Sequence, residues 1–141
     1  MGPKPPVAQT GELFRQPLIE QINPKHPLVR LAAVIDWREI ERKLGAHFAS
    51  TTGRPALRPR LVAGLLYLQH AHDCSDEAAV NTWVENPYWQ YFTGETYLQI
   101  DAPIDPSSLM RWRKRIGEEG VETLLMVTIA AARQIGLIKA A

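Results

Sequence analysis

Apolar residues recur along this chain at the spacing of one helix face. No stretch sustains the every-second-residue alternation of a half-buried strand. Residues 12–22, ELFRQPLIEQI, form a candidate short helix that Pro17 would kink or split. In HPLVRLAAVIDWREIERKLGAHF, residues 26–48, the pattern reads helix, brief break, helix. Leu28, Leu31, Ala32 and Ile35 share one side of the first helix, and Pro27 suits its first turn. Asp36 followed by Glu39 resembles a capping box, and Trp37, Ile40 and Leu44 make the stripe behind it. A turn-rich connector with Gly53, Pro55 and Pro59 leads to RLVAGLLYLQHAH, where Leu61, Leu65 and Leu68 align with Leu66 beside them. Ser75 is the expected N-cap of the next helix, with Asp76 and Glu77 complementing its positive end, and Pro87 stops it. The aromatic run from Tyr88 to Tyr97 predicts a short helix and an irregular link. DPSSLMRWRKRIG then begins a helix, and EEGVETLLMVTIAAARQ makes a long one ending at Gly136. Val121, Leu124, Leu125, Thr128 and Ala132 share a face of the latter. The reading is all-α: a multi-helix bundle with a helix-turn-helix-like pair and a basic helix.

Composition bounds the picture without redirecting it. Of the 141 residues, 45% are apolar and 22% charged, enough to build a core and too apolar for global disorder. The single cysteine, Cys74, excludes an internal disulfide framework and fits a reducing cytoplasm. No apolar run reaches the roughly 20 residues of a membrane span. Residues 1–11, rich in Pro and Gly, read as a loose arm, residues 12–135 as the helical domain, and residues 136–141 as the start of a linker. The arm lacks the apolar stretch of a secretory signal, and Pro3 and Pro6 crowd Gly2 against myristoylation.

Net charge is only +1, so any case for a polyanionic partner has to be local. Arg111, Arg113, Lys114 and Arg115 put four cations into five positions. With Asp105 as N-cap and Pro106 in the first turn, Leu109, Trp112 and Ile116 fall on one side of a helix. Arg111, Lys114 and Arg115 gather opposite, with Ser108 beside them and Arg113 on a flank. No acidic residue lies four positions before Lys114 or Arg115, and Arg111 and Arg115 repel each other. Such a face either meets phosphates, with counterion release and salt-dependent binding, or is a solvated surface neutralised by Glu118, Glu119 or tertiary partners.

The segments 59–72 and 75–86, joined by Asp73-Cys74-Ser75, have the outline of a helix-turn-helix. The second carries Asp76, Glu77 and Glu85 and no cation, so the pair is read as scaffold. Arg54, Arg58 and Arg60 in the connector are candidates for added phosphate contacts, or ordinary loop charges. His70, His72 and Cys74 sit at i,i+2 spacing, which does not converge on a metal from one helix face. Asp101 and Asp105 flank Pro103, but Asp105 serves better as a cap. No phosphate-binding glycine loop, nucleophile elbow or zinc-protease motif occurs, so no catalytic set is expected within these residues. The aromatics Trp83, Tyr88, Trp89, Tyr91 and Phe92 are assigned mainly to core packing, with base stacking or a protein interface as the alternatives.

Taken in order, GRPALRPRLVAGLLYLQHAHDCSDEAAVNTWVENPYWQYFTGE and PIDPSSLMRWRKRIGEEGVETLL resemble the N-terminal region of bacterial insertion-sequence transposases, the InsH N-terminal type. The likeness covers about residues 10–138. It implies a helical domain that binds double-stranded DNA at the element's terminal inverted repeats and helps assemble the protein–DNA complex. Ser107, Ser108, Arg111, Arg113, Lys114 and Arg115 match the family's basic helix. In the family an RNase-H-like domain follows, where three acidic residues hold divalent metal ions such as Mg for strand cleavage and joining. None of these acids has a counterpart here, since the sequence ends at Ala141. The expectation is therefore a cytoplasmic DNA-binding and assembly domain, inactive alone and truncated before its catalytic part. The competing class is a helical module that only dimerises or docks partners, with its arginines solvated.

Overall fold

The computed structural model describes residues 15–48 and 58–137, with side chains through Gly45 in the first segment. Among the described residues there are seven helices and no strand, so the expected all-α class holds. They are α1 (Leu18–Gln21), α2 (Pro27–Val34), α3 (Trp37–Phe48), α4 (Pro59–His72), α5 (Asp76–Glu85), α6 (Pro87–Phe92) and α7 (Pro106–Gln134). The arm 1–11 and Arg54 lie outside the described residues, as do positions 138–141.

Local chemistry sets most of these boundaries. Ser75 Oγ accepts from the Ala78 N–H at 3.1 Å, as its N-cap role requires. Asp36 Oδ1 likewise accepts from the Glu39 N–H at 3.0 Å. Glu39 directs its carboxylate toward Lys43, 3.1 Å away, and Arg42, 3.6 Å away. Asn86 caps α6 by accepting from both the Tyr88 and Trp89 N–H groups. His26 caps α2 through Nδ1, which accepts from the Leu28 N–H at 3.1 Å. Pro17 sits at the N-cap of α1, whose first residue is Leu18, so among the described residues the candidate helix is confined to the part after the proline. A proline lacks only the N–H that a helix start would leave unpaired.

Helix α4 is the centre of the bundle. Residues 61–66 are all buried, as is Leu68, so it is covered all round rather than along one stripe. It packs against α3, α5 and α7, while α6 joins α1, α2 and α5. Gly64 permits a close approach: a Cβ there would stand 2.7 Å from Thr93 Cγ2. Two buried polar side chains tie the layers. Thr93 Oγ1 accepts from Trp83 Nε1 at 2.7 Å and donates to the Trp89 carbonyl at 2.9 Å. Gln90 donates to the carbonyls of Trp83 and Gln99 and accepts from the Gln99 N–H at 2.7 Å, fixing the irregular link after α6. Trp83, Trp89 and Phe92 are buried in the core, as their aromatic run suggested.

Helix α7 runs 29 residues and contacts α2, α3, α4 and α5. It is not continuous. Gly117, at φ 79° and ψ 170°, divides it into residues 106–116 and 118–134. Leu124, Thr128, Ala131 and Ala132 form the buried face of the second part, and Thr128 Oγ1 donates back to the Leu124 carbonyl. No helix among the described residues is long and apolar enough to cross a membrane.

Candidate nucleic-acid interface

The basic segment begins where the sequence places it. Asp105 Oδ1 accepts from the Ser107 N–H at 2.8 Å, and Pro106 occupies the first helical position. The Ser107 hydroxyl and N–H together hold the Asp105 carboxyl below the ordinary range. Leu109 and Ile116 are buried and anchor one side; Trp112 is half-buried against the same core.

The other side carries the charge. Arg111, Lys114 and Arg115 are exposed, and none of the three has an ion-pair partner among the described residues. Arg111 Nη2 donates to Ser108 Oγ at 2.9 Å. The Arg115 guanidinium lies over the Trp112 ring, 5.0 Å from its centroid. Ser108, Arg111, Trp112 and Arg115 line one shallow depression on this face. Both arginine contacts orient a guanidinium without neutralising it.

Arg113 behaves differently. It points back into the protein and grips Asp76 with both ends of its fork, Nη1 to Oδ1 at 2.7 Å and Nη2 to Oδ2 at 3.2 Å. Nη1 also donates to Gln69 Oε1 at 3.0 Å, and Gln69 Nε2 donates to Asp76 Oδ1 at 2.7 Å. This clamp joins α7 to the end of α4 and the start of α5. The Arg113 guanidinium, then Gln69, holds the Asp76 carboxyl below its usual range against the opposing effect of burial, and Asp76 in turn raises Arg113. The flank position expected for Arg113 is thus a structural one. Gln69 and the second role of Asp76 escaped the sequence reading, because the partners lie 44 and 37 positions away from Arg113.

Of the connector arginines, Arg58 and Arg60 lie among the described residues, and both are engaged within the protein. Arg58 pairs with Glu95. Arg60 donates from Nε to the Phe92 carbonyl at 3.0 Å and from Nη2 to the Tyr91 carbonyl at 3.3 Å, closing the end of α6. Its guanidinium also lies 4.4 Å from the Trp37 ring centroid. Arg60 and Gln69 are nine positions apart on α4, about 14 Å of helix rise, so Arg60 works at the opposite end of α4 from the Arg113 clamp.

Among the described residues no group of three His, Cys, Asp or Glu side chains converges on one point. His72 packs its ring against Trp89 with centroids 5.2 Å apart, and burial pushes the Cys74 thiol upward in pKa.

The described residues thus form a helical scaffold that presents one cationic half-helix. The transposase domain family (DUF772) matches residues 16–115, and the chain belongs to that family. A relative from Rhizobium meliloti, described as uncharacterized protein ORF8 in the nfe locus, is 49% identical over 136 residues. The match covers 96% of this chain but 65% of that relative, so the chain spans less than two-thirds of the relative's length. No solved structure matches the chain.

Proposed function

We propose that the chain is the DNA-binding and assembly domain of an insertion-sequence transposase, within residues 12–135, and that it recognises the element's terminal inverted repeats. The observation that carries this reading is the exposed trio Arg111, Lys114 and Arg115, none of them in an ion pair among the described residues; the Asp105 carboxylate, near enough to feel the Arg111 charge, is engaged by Ser107. A stability-only surface would pair such charges, since like charges one turn apart repel. Phosphates relieve that repulsion, and arginine forks also read guanine edges in a major groove. In this reading Ser107 and Ser108 border the contact, while Arg113 and Arg60 position the helices rather than touch DNA. Metal-dependent strand transfer belongs to a separate catalytic part of the whole transposase.

The test is a gel shift with inverted-repeat duplex across a salt series. Replacing Arg111 and Arg115 together with alanine weakens binding and flattens the logarithmic salt slope by about 2, one for each lost phosphate contact. Binding unchanged from wild type removes this surface from consideration. The competing reading, a dimerisation module, draws on Met126, which is 71% exposed on the second part of α7. It predicts no salt-dependent DNA binding and a two-fold assembly that Met126→Lys disperses.

A further inference from the structure

Glu118 and Glu119 stand four positions after Lys114 and Arg115. In an uninterrupted helix these are ion-pairing distances, and both cations would carry an intrahelical carboxylate. Neither pair forms. Between them lies Gly117, at φ 79° and ψ 170°, a backbone region that is almost exclusive to glycine. Packing does not demand a glycine there, because an added Cβ would meet nothing within 4 Å. Lys114 and Glu118 border the same open depression at the break, with Val121 and Glu122, yet form no ion pair across it. The backbone departure thus rotates the acidic run 118–122 out of register with the basic run 111–115.

We propose that Gly117 is a positioning residue that keeps the 111–115 face cationic by denying Lys114 and Arg115 their i+4 glutamates. This rests on the DNA-binding reading above and extends it. The chain places opposite charges side by side in sequence, and a single glycine conformation keeps the two sets apart. Alanine disfavours that conformation and favours a continuous helix, in which Glu118 and Glu119 would compete with phosphate for the same two cations.

The experiment is a double-mutant cycle on duplex affinity, read as Kd at fixed salt for the full chain, with far-UV circular dichroism to check folding. Gly117→Ala is expected to weaken binding by about two- to five-fold, the competition of two exposed intrahelical pairs. Adding Glu118→Gln and Glu119→Gln to Gly117→Ala recovers that loss. In the Gly117 background the same two glutamine substitutions change affinity by less than about two-fold. Wild-type affinity for Gly117→Ala, or failure of the glutamines to recover it, overturns the proposal. Should Gly117→Ala not fold, the glutamine pair alone still decides: tightening of about five-fold or more with Gly117 in place shows that the break does not separate the charges. An Arg111→Ala, Arg115→Ala control distinguishes the two levels. If the control binds like wild type, the DNA-binding reading and this proposal both fall; if only the coupling at 117 is missing, this proposal falls alone.

Discussion

Two sets of arginines in this molecule meet opposite fates. Arg60 and Arg113 turn inward and satisfy their guanidinium groups on carbonyls, an amide and a carboxylate. Arg111 and Arg115 turn outward and contact a serine hydroxyl and an indole face, with no ion pair among the described residues. The first pair holds helices together: Arg60 closes α6, and Arg113 binds α7 to α4 and α5. The second pair adds little to the fold and keeps its charge available. Identical side chains thus divide between inward structural contacts and exposed charge according to whether a fixed acceptor lies within reach of the guanidinium.

Three measurements sharpen this contrast or break it. The largest effect is expected for Arg60→Met, which leaves the Phe92 and Tyr91 carbonyls without their charged donor and removes the contact with Trp37. We expect a loss of about 2 kcal/mol in the urea unfolding free energy. The salt slope of DNA binding should stay unchanged, and a reduced slope would move Arg60 into the recognition set.

Arg113→Met should cost about 1 kcal/mol at neutral pH, since the pair with Asp76 is partly solvated. This loss carries a pH signature. The folded-state pKa of Asp76 lies below its unfolded value, so the clamp contributes fully above the ordinary carboxylate range. The contribution disappears as pH falls through the folded pKa, so the gap between wild type and Arg113→Met should narrow progressively below about pH 4. Unfolding midpoints that stay equally separated in acid would show that the clamp does not depend on the Asp76 charge.

The smallest effect is expected outside. Arg111→Ala with Arg115→Ala should shift unfolding by no more than about 0.5 kcal/mol, and relief of their mutual repulsion favours a slight gain. Lys114→Ala alone should lower the logarithmic salt slope of DNA binding by about 1. A large stability loss in the double variant would place these arginines with Arg60 and Arg113.

Much of the helical order was legible because it is written in short-range chemistry. Ser75, Asp36 and Asp105 act as caps on N–H groups two or three residues away. Leu109 and Ile116 are buried on one side of their helix as the 3.6-residue period demands. Pro17 reads alike at a helix break and a helix start until the neighbouring φ and ψ are known. The burial of α4 on every side was read as a stripe, since periodicity reports contrast between faces and α4 has little polar face to supply it. Nothing in the local pattern singles out Gln90 and Thr93; only the approach of Trp83 and Gln99 makes them the centre of a buried network.

The sequence by itself determined which segments coil, where they start, and that four cations crowd one turn and a half ahead of a glycine. The tertiary structure decided which of those cations is spent inside, because Asp76 and Gln69 come to Arg113 only when α4, α5 and α7 pack. It also decided that Lys114 and Arg115 stay apart from the glutamates beside them, through one backbone rotation at Gly117. Capping and periodicity act within a few bonds and can be read along the chain. The partner of a long flexible side chain is fixed by distances that exist only after the helices have closed on one another.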